Sequence, residues 1–225
     1  MKKRMSLLLN ATVKFLCGLL LVGLLLFLPA GTLRYPNGWL FAGLLFVPML
    51  ILGAVLLIKA PDLLQKRLNA KEKESTQRGV VILSGLLFLG GFIVAGLDHR
   101  FGWSRVPLPV VIIAAVVLLT SYALYAEVMR ENAYLSRTVE IQEGQTVIDT
   151  GLYGVVRHPM YAVTVWMFLS IPLVLGSWFA LLCFIHYPIL IVLRIRNEEK
   201  VLTEGLTGYE EYKKKVKYRL FPLIW

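Results

Sequence analysis

Two short polar clusters hold the residues of this chain whose types and spacing could do chemistry. The first is Gly151-Leu152-Tyr153-Gly154-Val155-Val156-Arg157-His158-Pro159-Met160-Tyr161 and the second is Arg194-Ile195-Arg196-Asn197-Glu198-Glu199. On a helix, Arg194 and Glu198 are four residues apart and share a face. Glu199 lies about 100° round, near the face of Arg196. A carboxylate presented this way can accept two hydrogen bonds from vicinal hydroxyls, as on a ribose, and bonds to a charged acceptor are the stronger kind. Arg194 can balance that charge or hold an anionic group in its planar fork. In the first cluster, Gly151 and Gly154 permit close backbone approach or positive φ. Pro159 interrupts the hydrogen-bond ladder and leaves backbone groups free beside His158 and Tyr161, a cradle for a polar cofactor. Each cluster also has a plain structural reading. The second would be a helix end with i,i+4 ion pairs; the first would be a loop-to-helix junction with Tyr161 in an interfacial aromatic belt.

What positions these clusters is the stretch between them. From Met160 to Leu193 there is no Lys, Arg, Asp or Glu. A run of about 34 uncharged residues is too long for one membrane span and suits two short helices of about 17 residues each. Pro172, Gly176 and Ser177 mark the turn. Folding the run on itself brings Arg157 and His158 beside Arg194, Glu198 and Glu199. Charge gathered beside membrane-embedded helices is costly, and so points to a functional site.

The rest of the chain fits that setting. Of 225 residues, 57% are hydrophobic and 17% charged, against about 25% charged in a soluble domain. The fold class is all-α: a polytopic membrane helix bundle with four N-terminal spans, a short C-terminal helical hairpin and a cytoplasmic amphipathic tail helix. Residues 1–129 would form the transmembrane bundle and 130–225 the cofactor-binding region with its hairpin and tail, in one structural domain. The spans fall at about 7–28, 39–58 (kinked at Pro48), 80–97 and 107–125, the last continuing as a more polar helix through Asn132. A polar loop covers 59–78 and a short connection 98–105. Gly85, Gly90, Gly91 and Gly96 would let helices approach closely in the third span. In the tail, Thr207-Gly208-Tyr209-Glu210 has the spacing of a capping box. Tyr209, Tyr212 and Val216 make an apolar stripe among lysines, expected to lie along lipid headgroups until Pro222 stops the helix.

There are 24 Lys plus Arg against 14 Asp plus Glu. The excess sits at the amino terminus, in the 59–78 loop, in the 130–158 segment and in the tail. Both termini are therefore expected in the cytoplasm, with an even number of crossings. Anionic headgroups, not nucleic acid, account for the charge. Cys17 and Cys183 lie in apolar runs without metal or disulfide spacing, so neither a metal nor a disulfide framework is expected. His186 reads as a packed or interfacial residue. The Met1-Lys2-Lys3-Arg4 start lacks a clear cleavage site downstream, which favours an uncleaved first helix.

Arg157-His158-Pro159-Met160-Tyr161, followed about 36 residues later by Glu198-Glu199-Lys200-Val201-Leu202, resembles the signature of the isoprenylcysteine carboxyl methyltransferase family. The lead-in Gly144–Tyr153 and the tail Gly208-Tyr209-Glu210-Glu211-Tyr212 are similar to that family as well. The resemblance covers about residues 130–222. It implies S-adenosyl-L-methionine as methyl donor, bound by Gln145, Thr146, Val147, Ile148, Tyr153, His158, Pro159, Met160, Tyr161, Glu198 and Glu199. It implies a catalytic role for Arg194 and His158, with Arg194 also on the substrate side. A family glutamine contact has no clear match near Arg137–Gln142, and Val163 stands where the family has glycine.

The resemblance thus implies an integral membrane methyltransferase acting on a lipophilic or amphiphilic acceptor, with membrane lipids as its other partners. Isoprenylcysteine carboxylate is the family's substrate. A phospholipid-type amine, or a nicotinamide-dependent lipid or sterol reductase of related architecture, is the alternative. The compact chain and its Lys/Arg distribution suggest a bacterial inner membrane.

Overall fold

A computed structural model describes residues 2–68, 75–136 and 138–225. Lys71, Glu72, Lys73 and Glu74 of the expected basic loop lie outside the described residues, as do Met1 and Arg137. The described residues form nine α-helices and no strand: α1 Lys2–Ala30, α2 Pro36–Lys59, α3 Pro61–Leu68, α4 Ser75–Phe101, α5 Leu108–Glu131, α6 Pro159–Val174, α7 Trp178–Phe184, α8 Tyr187–Gly205 and α9 Tyr209–Lys215. Five segments are long and apolar enough to cross a membrane: α1, α2, α4, α5, and α7 with α8 taken together as Trp178–Gly205; α6 is a shorter apolar helix. A backbone in lipid must satisfy its own polar groups, which is why these apolar segments are helical. Leucine, isoleucine and valine side chains cover the outward faces of α1, α2 and α5, as lipid contact requires.

The helices are longer than the apolar runs alone suggest. α1 passes through Pro29, and α4 continues to Phe101 with Asp98 and His99 still helical. Part of the expected 59–78 loop is the amphipathic α3, which buries Leu63 and Leu64. The second hairpin arm breaks at Ile185–His186, and α8 then runs on beyond the uncharged stretch to Gly205. Packing joins α6 to α5, α4 to α1, and α7 to α4. The core between them contains Leu26, Phe41, Phe92, Leu118, Ile171 and Phe184. Of the four glycines expected to ease packing, two do so. A Cβ on Gly96 would lie 2.5 Å from the Leu26 carbonyl oxygen, and one on Gly91 would strike the Phe184 ring. Gly85 and Gly90 face open space.

The hairpin turn falls where Gly176 and Ser177 predict it, with Gly176 at φ +80°. It is tied to the far end of the bundle. Asp98, 1% exposed, accepts from the Ser104 amide (2.7 Å), the Ser104 hydroxyl (2.6 Å) and the Ser177 hydroxyl (2.5 Å). Ser177 also caps α7 by accepting from the Ala180 amide. Tyr35 donates to the Leu175 carbonyl at 2.7 Å and stacks on His99. The fixed turn sends α6 and α8 back to the opposite end with their polar ends side by side. α3 is at that end too: Lys14 of α1 donates to the Leu68 carbonyl, and Arg67 donates to the Ser136 carbonyl at 3.0 Å and to the Tyr125 hydroxyl.

Candidate functional site

The start of α6 sets the site. Pro159 occupies the first helical position, where its missing N–H costs nothing. The His158 carbonyl accepts from the Tyr161 and Ala162 amides. The backbone groups beside His158 are not free, as the proline had suggested. The Arg157 amide donates to the Tyr218 carbonyl and the His158 amide to the Arg219 carbonyl, both at 2.9 Å. The tail beyond α9 thus lies along the junction and uses the donors that a helix cannot.

Glu198 and Glu199, adjacent on α8, diverge as their 100° separation requires. Glu199 turns inward, its side chain 9% exposed. It accepts from Arg157 Nε at 2.7 Å, Arg219 Nε at 2.8 Å and His158 Nε2 at 3.3 Å. Arg157, itself buried, also donates to the carbonyls of Val216 and Lys217. Paired guanidinium and carboxylate groups with further partners are the form in which buried charge is tolerated. Glu198 is 24% exposed and borders an open cleft. Its Oε2 accepts from the Tyr161 hydroxyl, and its Oε1 lies 3.9 Å from His158 Nδ1. Arg194 Nε donates to the same Tyr161 oxygen at 2.8 Å. The expected Arg194–Glu198 pairing therefore runs through a phenol.

The cleft has a volume of about 840 Å³, its open mouth included. Gln145, Thr146, Val147, Ile148, Tyr153, His158, Met160, Tyr161 and Glu198 line it, so nine of the residues read from the sequence meet in one place. Pro159 and Glu199 do not line it: the proline is buried in the first turn of α6, and Glu199 is consumed by the two arginines. Arg194 also stands outside it, behind Tyr161.

Two walls were not anticipated. One is Asn132, Tyr134, Ser136, Thr138 and Glu140, from the segment after α5; the other is Leu202, Leu206, Tyr209 and Tyr212. The first wall is ordered by side-chain bonds. Asn132 donates to the Tyr153 hydroxyl at 3.0 Å, and Gln145 accepts from the Gln142 amide at 2.9 Å. Only its density of hydroxyl and amide side chains marked it in the sequence. Gly151, at φ +51°, lets the Glu131 carboxylate occupy the space a Cβ would take and accept from the Leu152 amide.

The tail differs from expectation. Tyr209, Tyr212 and Val216 are buried with Leu206 against Ile141, Val147 and Leu202, so their stripe meets protein, not headgroups. Gly208, at φ +86°, caps α9 without a side-chain bond, so the capping box does not form. The helix ends at Lys215, well before Pro222. The Tyr212 hydroxyl donates to the Tyr153 carbonyl at 2.7 Å. Burial foremost, then the charges of Glu199 and Glu198, raises the Tyr209 phenol well above its ordinary range. It remains a donor at any physiological pH.

Residues 110–204 match the model of the isoprenylcysteine carboxyl methyltransferase (ICMT) family. Over 93 residues the chain is 32% identical to the uncharacterized protein YpbQ of Bacillus subtilis (strain 168). That alignment takes in 41% of this chain and 55% of YpbQ, so the chain spans about half the length of that curated relative. Among solved structures, the eukaryotic intramembrane Ras methyltransferase ICMT, determined without a monobody, has a similar fold. The TM-score is 0.53 at 18% identity, over 90% of this chain and 74% of that one.

Proposed function

We propose that this chain, which belongs through residues 110–204 to the isoprenylcysteine carboxyl methyltransferase family, is an integral membrane methyltransferase. It would use S-adenosyl-L-methionine and a lipophilic or amphiphilic acceptor. The observation that carries the reading is the meeting of His158, Tyr161 and Glu198 on one cleft at the polar end of an apolar hairpin. The cleft suits the donor. It presents a carboxylate for vicinal hydroxyls, an apolar wall for a flat base, and a buried phenol that has no protein partner.

In this reading Gln145, Thr146, Val147, Ile148, Tyr153, His158, Met160, Tyr161 and Glu198 hold the donor. When bound, it supplies an electrophilic methyl group for in-line displacement. Glu198 accepts from the nucleoside hydroxyls, and Tyr161, steadied by Arg194, fixes the carboxylate's orientation. In this reading Arg194 also serves an anionic acceptor through its guanidinium. A carboxylate acceptor is already ionised and needs no general base. For an amine or hydroxyl acceptor, His158, between Glu198 and Glu199, is placed to take the proton. Most of the rate would come from alignment in a dry site, where orientation supplies about 7–11 kcal/mol. The lipidic acceptor would enter between helices, and the donor from the cytoplasm of a bacterial cell, where both termini would lie.

Titrating the detergent-purified protein with S-adenosyl-L-methionine by calorimetry tests this. Binding by the wild type and its loss in Glu198→Ala are expected. No binding by the wild type, or undiminished binding by the variant, overturns the proposal. Mass spectrometry of lipids before and after adding the donor would identify the acceptor by a gain of one methyl group.

A further inference from the structure

Tyr209 and Tyr212 are neighbours on α9, with ring centroids 5.7 Å apart, and both line the cleft. Their hydroxyls fare differently. That of Tyr212 is used by the Tyr153 carbonyl. That of Tyr209 is shut off from bulk water and has no hydrogen-bond partner, on a residue only 4% exposed. A buried polar group left unpaired has given up its water contacts for nothing and is a net cost to the fold. Phenylalanine would fill the same space without that cost. The ring is held by Val147, Leu202 and Leu206, all of which also line the cleft. Those three side chains offer a flat aromatic group apolar contact, while the Lys213 ammonium stands 5.9 Å from the centre of the Tyr209 ring. A single donor set in such a wall matches the ring nitrogens of a purine edge.

We propose that Tyr209 is a ligand-binding residue whose hydroxyl donates to the base of the nucleoside in this cleft, making the tail helix part of the cofactor site. The inference rests on the methyl-donor reading above and extends it to a residue beyond the matched segment 110–204. In the ligand-free protein the hydroxyl is a burden; in the complex it is a contact. The two states therefore respond to its removal with opposite sign.

The test is Tyr209→Phe in the full-length, detergent-purified chain, probed with S-adenosyl-L-homocysteine and with adenosine. Without ligand, the variant should melt at or above the wild-type temperature. Its dissociation constants for both probes should rise by the same factor, about three- to tenfold, the worth of one neutral hydrogen bond. A lowered melting temperature with unchanged affinity would overturn the inference, because the hydroxyl would then serve the protein through a bound water. Unchanged affinity and unchanged melting would overturn it too. If the wild type binds neither probe, the methyl-donor reading falls and this inference with it. If the wild type binds, Glu198→Ala does not, and Tyr209→Phe matches the wild type, only this inference falls.

Discussion

Exchanging each of two adjacent carboxylates for its amide should separate stability from binding. Glu199→Gln leaves the Arg157 guanidinium facing a neutral group in a buried place. Breaking such a pair by removing one partner costs about 3–5 kcal/mol. The lower figure applies here, because Arg157 keeps the carbonyls of Val216 and Lys217, and Arg219, its side chain 35% exposed, can turn to water. At about 2–4 °C per kcal/mol for a chain of this size, the melting temperature should fall by about 6–12 °C. Tryptophan fluorescence would follow the transition, and the Arg219 guanidinium over the Trp225 ring provides a local reporter. Glu198→Gln keeps an acceptor for the Tyr161 hydroxyl at a more exposed position, so its cost should be about 1 kcal/mol or less. On the methyl-donor reading it would also lose charge-assisted bonds to ligand hydroxyls. At about 1.5–3 kcal/mol, that should weaken S-adenosyl-L-methionine binding by about 10- to 150-fold. The reasoning is refuted if Glu199→Gln melts with the wild type while losing binding as Glu198→Gln does. Glu199 would then contact ligand, and its two arginines would be incidental.

Gly96→Val should lower the melting temperature, since its Cβ would press on the Leu26 carbonyl and on Pro29, an overpacking cost of about 1–3 kcal/mol. Gly85→Ala, with nothing within 4 Å, should not, and thermal unfolding of the two side by side decides it. Asp149 is held below its ordinary range by the hydrogen bond from Lys215 at 2.6 Å. A depressed carboxylate contributes fully above its unfolded value and loses that contribution as pH falls through the folded one. The small melting difference between wild type and Asp149→Asn should therefore stay constant from about pH 8 to pH 5 and vanish only well below the ordinary aspartate value. A difference that closes between pH 5 and 7 would assign the effect to another group.

The clusters that compose the site were legible because charge is rare in this chain, and each exception in an apolar setting stood out. Their meeting followed from one uncharged run with turn residues at its centre. What distinguished Glu198 from Glu199 was the phase of α8 against α6, which spacing within one helix does not contain. Tyr209, Tyr212 and Val216 were correctly read as one apolar face. Periodicity says that a face avoids water, not whether lipid or protein covers it, and here Val147 and Leu202 cover it. The wall from Asn132 to Glu140 is irregular backbone shaped by side-chain bonds and has no periodic signal. Thr207 looked like a helix cap by spacing alone, yet the left-handed turn at Gly208 takes that place.

The pairing of the tail with the His158 junction has a consequence for transplantation. The segment that matches the family model ends at residue 204, whereas the groups that satisfy Arg157 and the two junction amides come from Val216, Lys217, Tyr218 and Arg219. Grafting the homologous stretch alone into a foreign scaffold would carry the signature and leave behind its brace. The smallest portable unit is longer than the matched segment, and a chimera should take its downstream junction from beyond the last of those carbonyls.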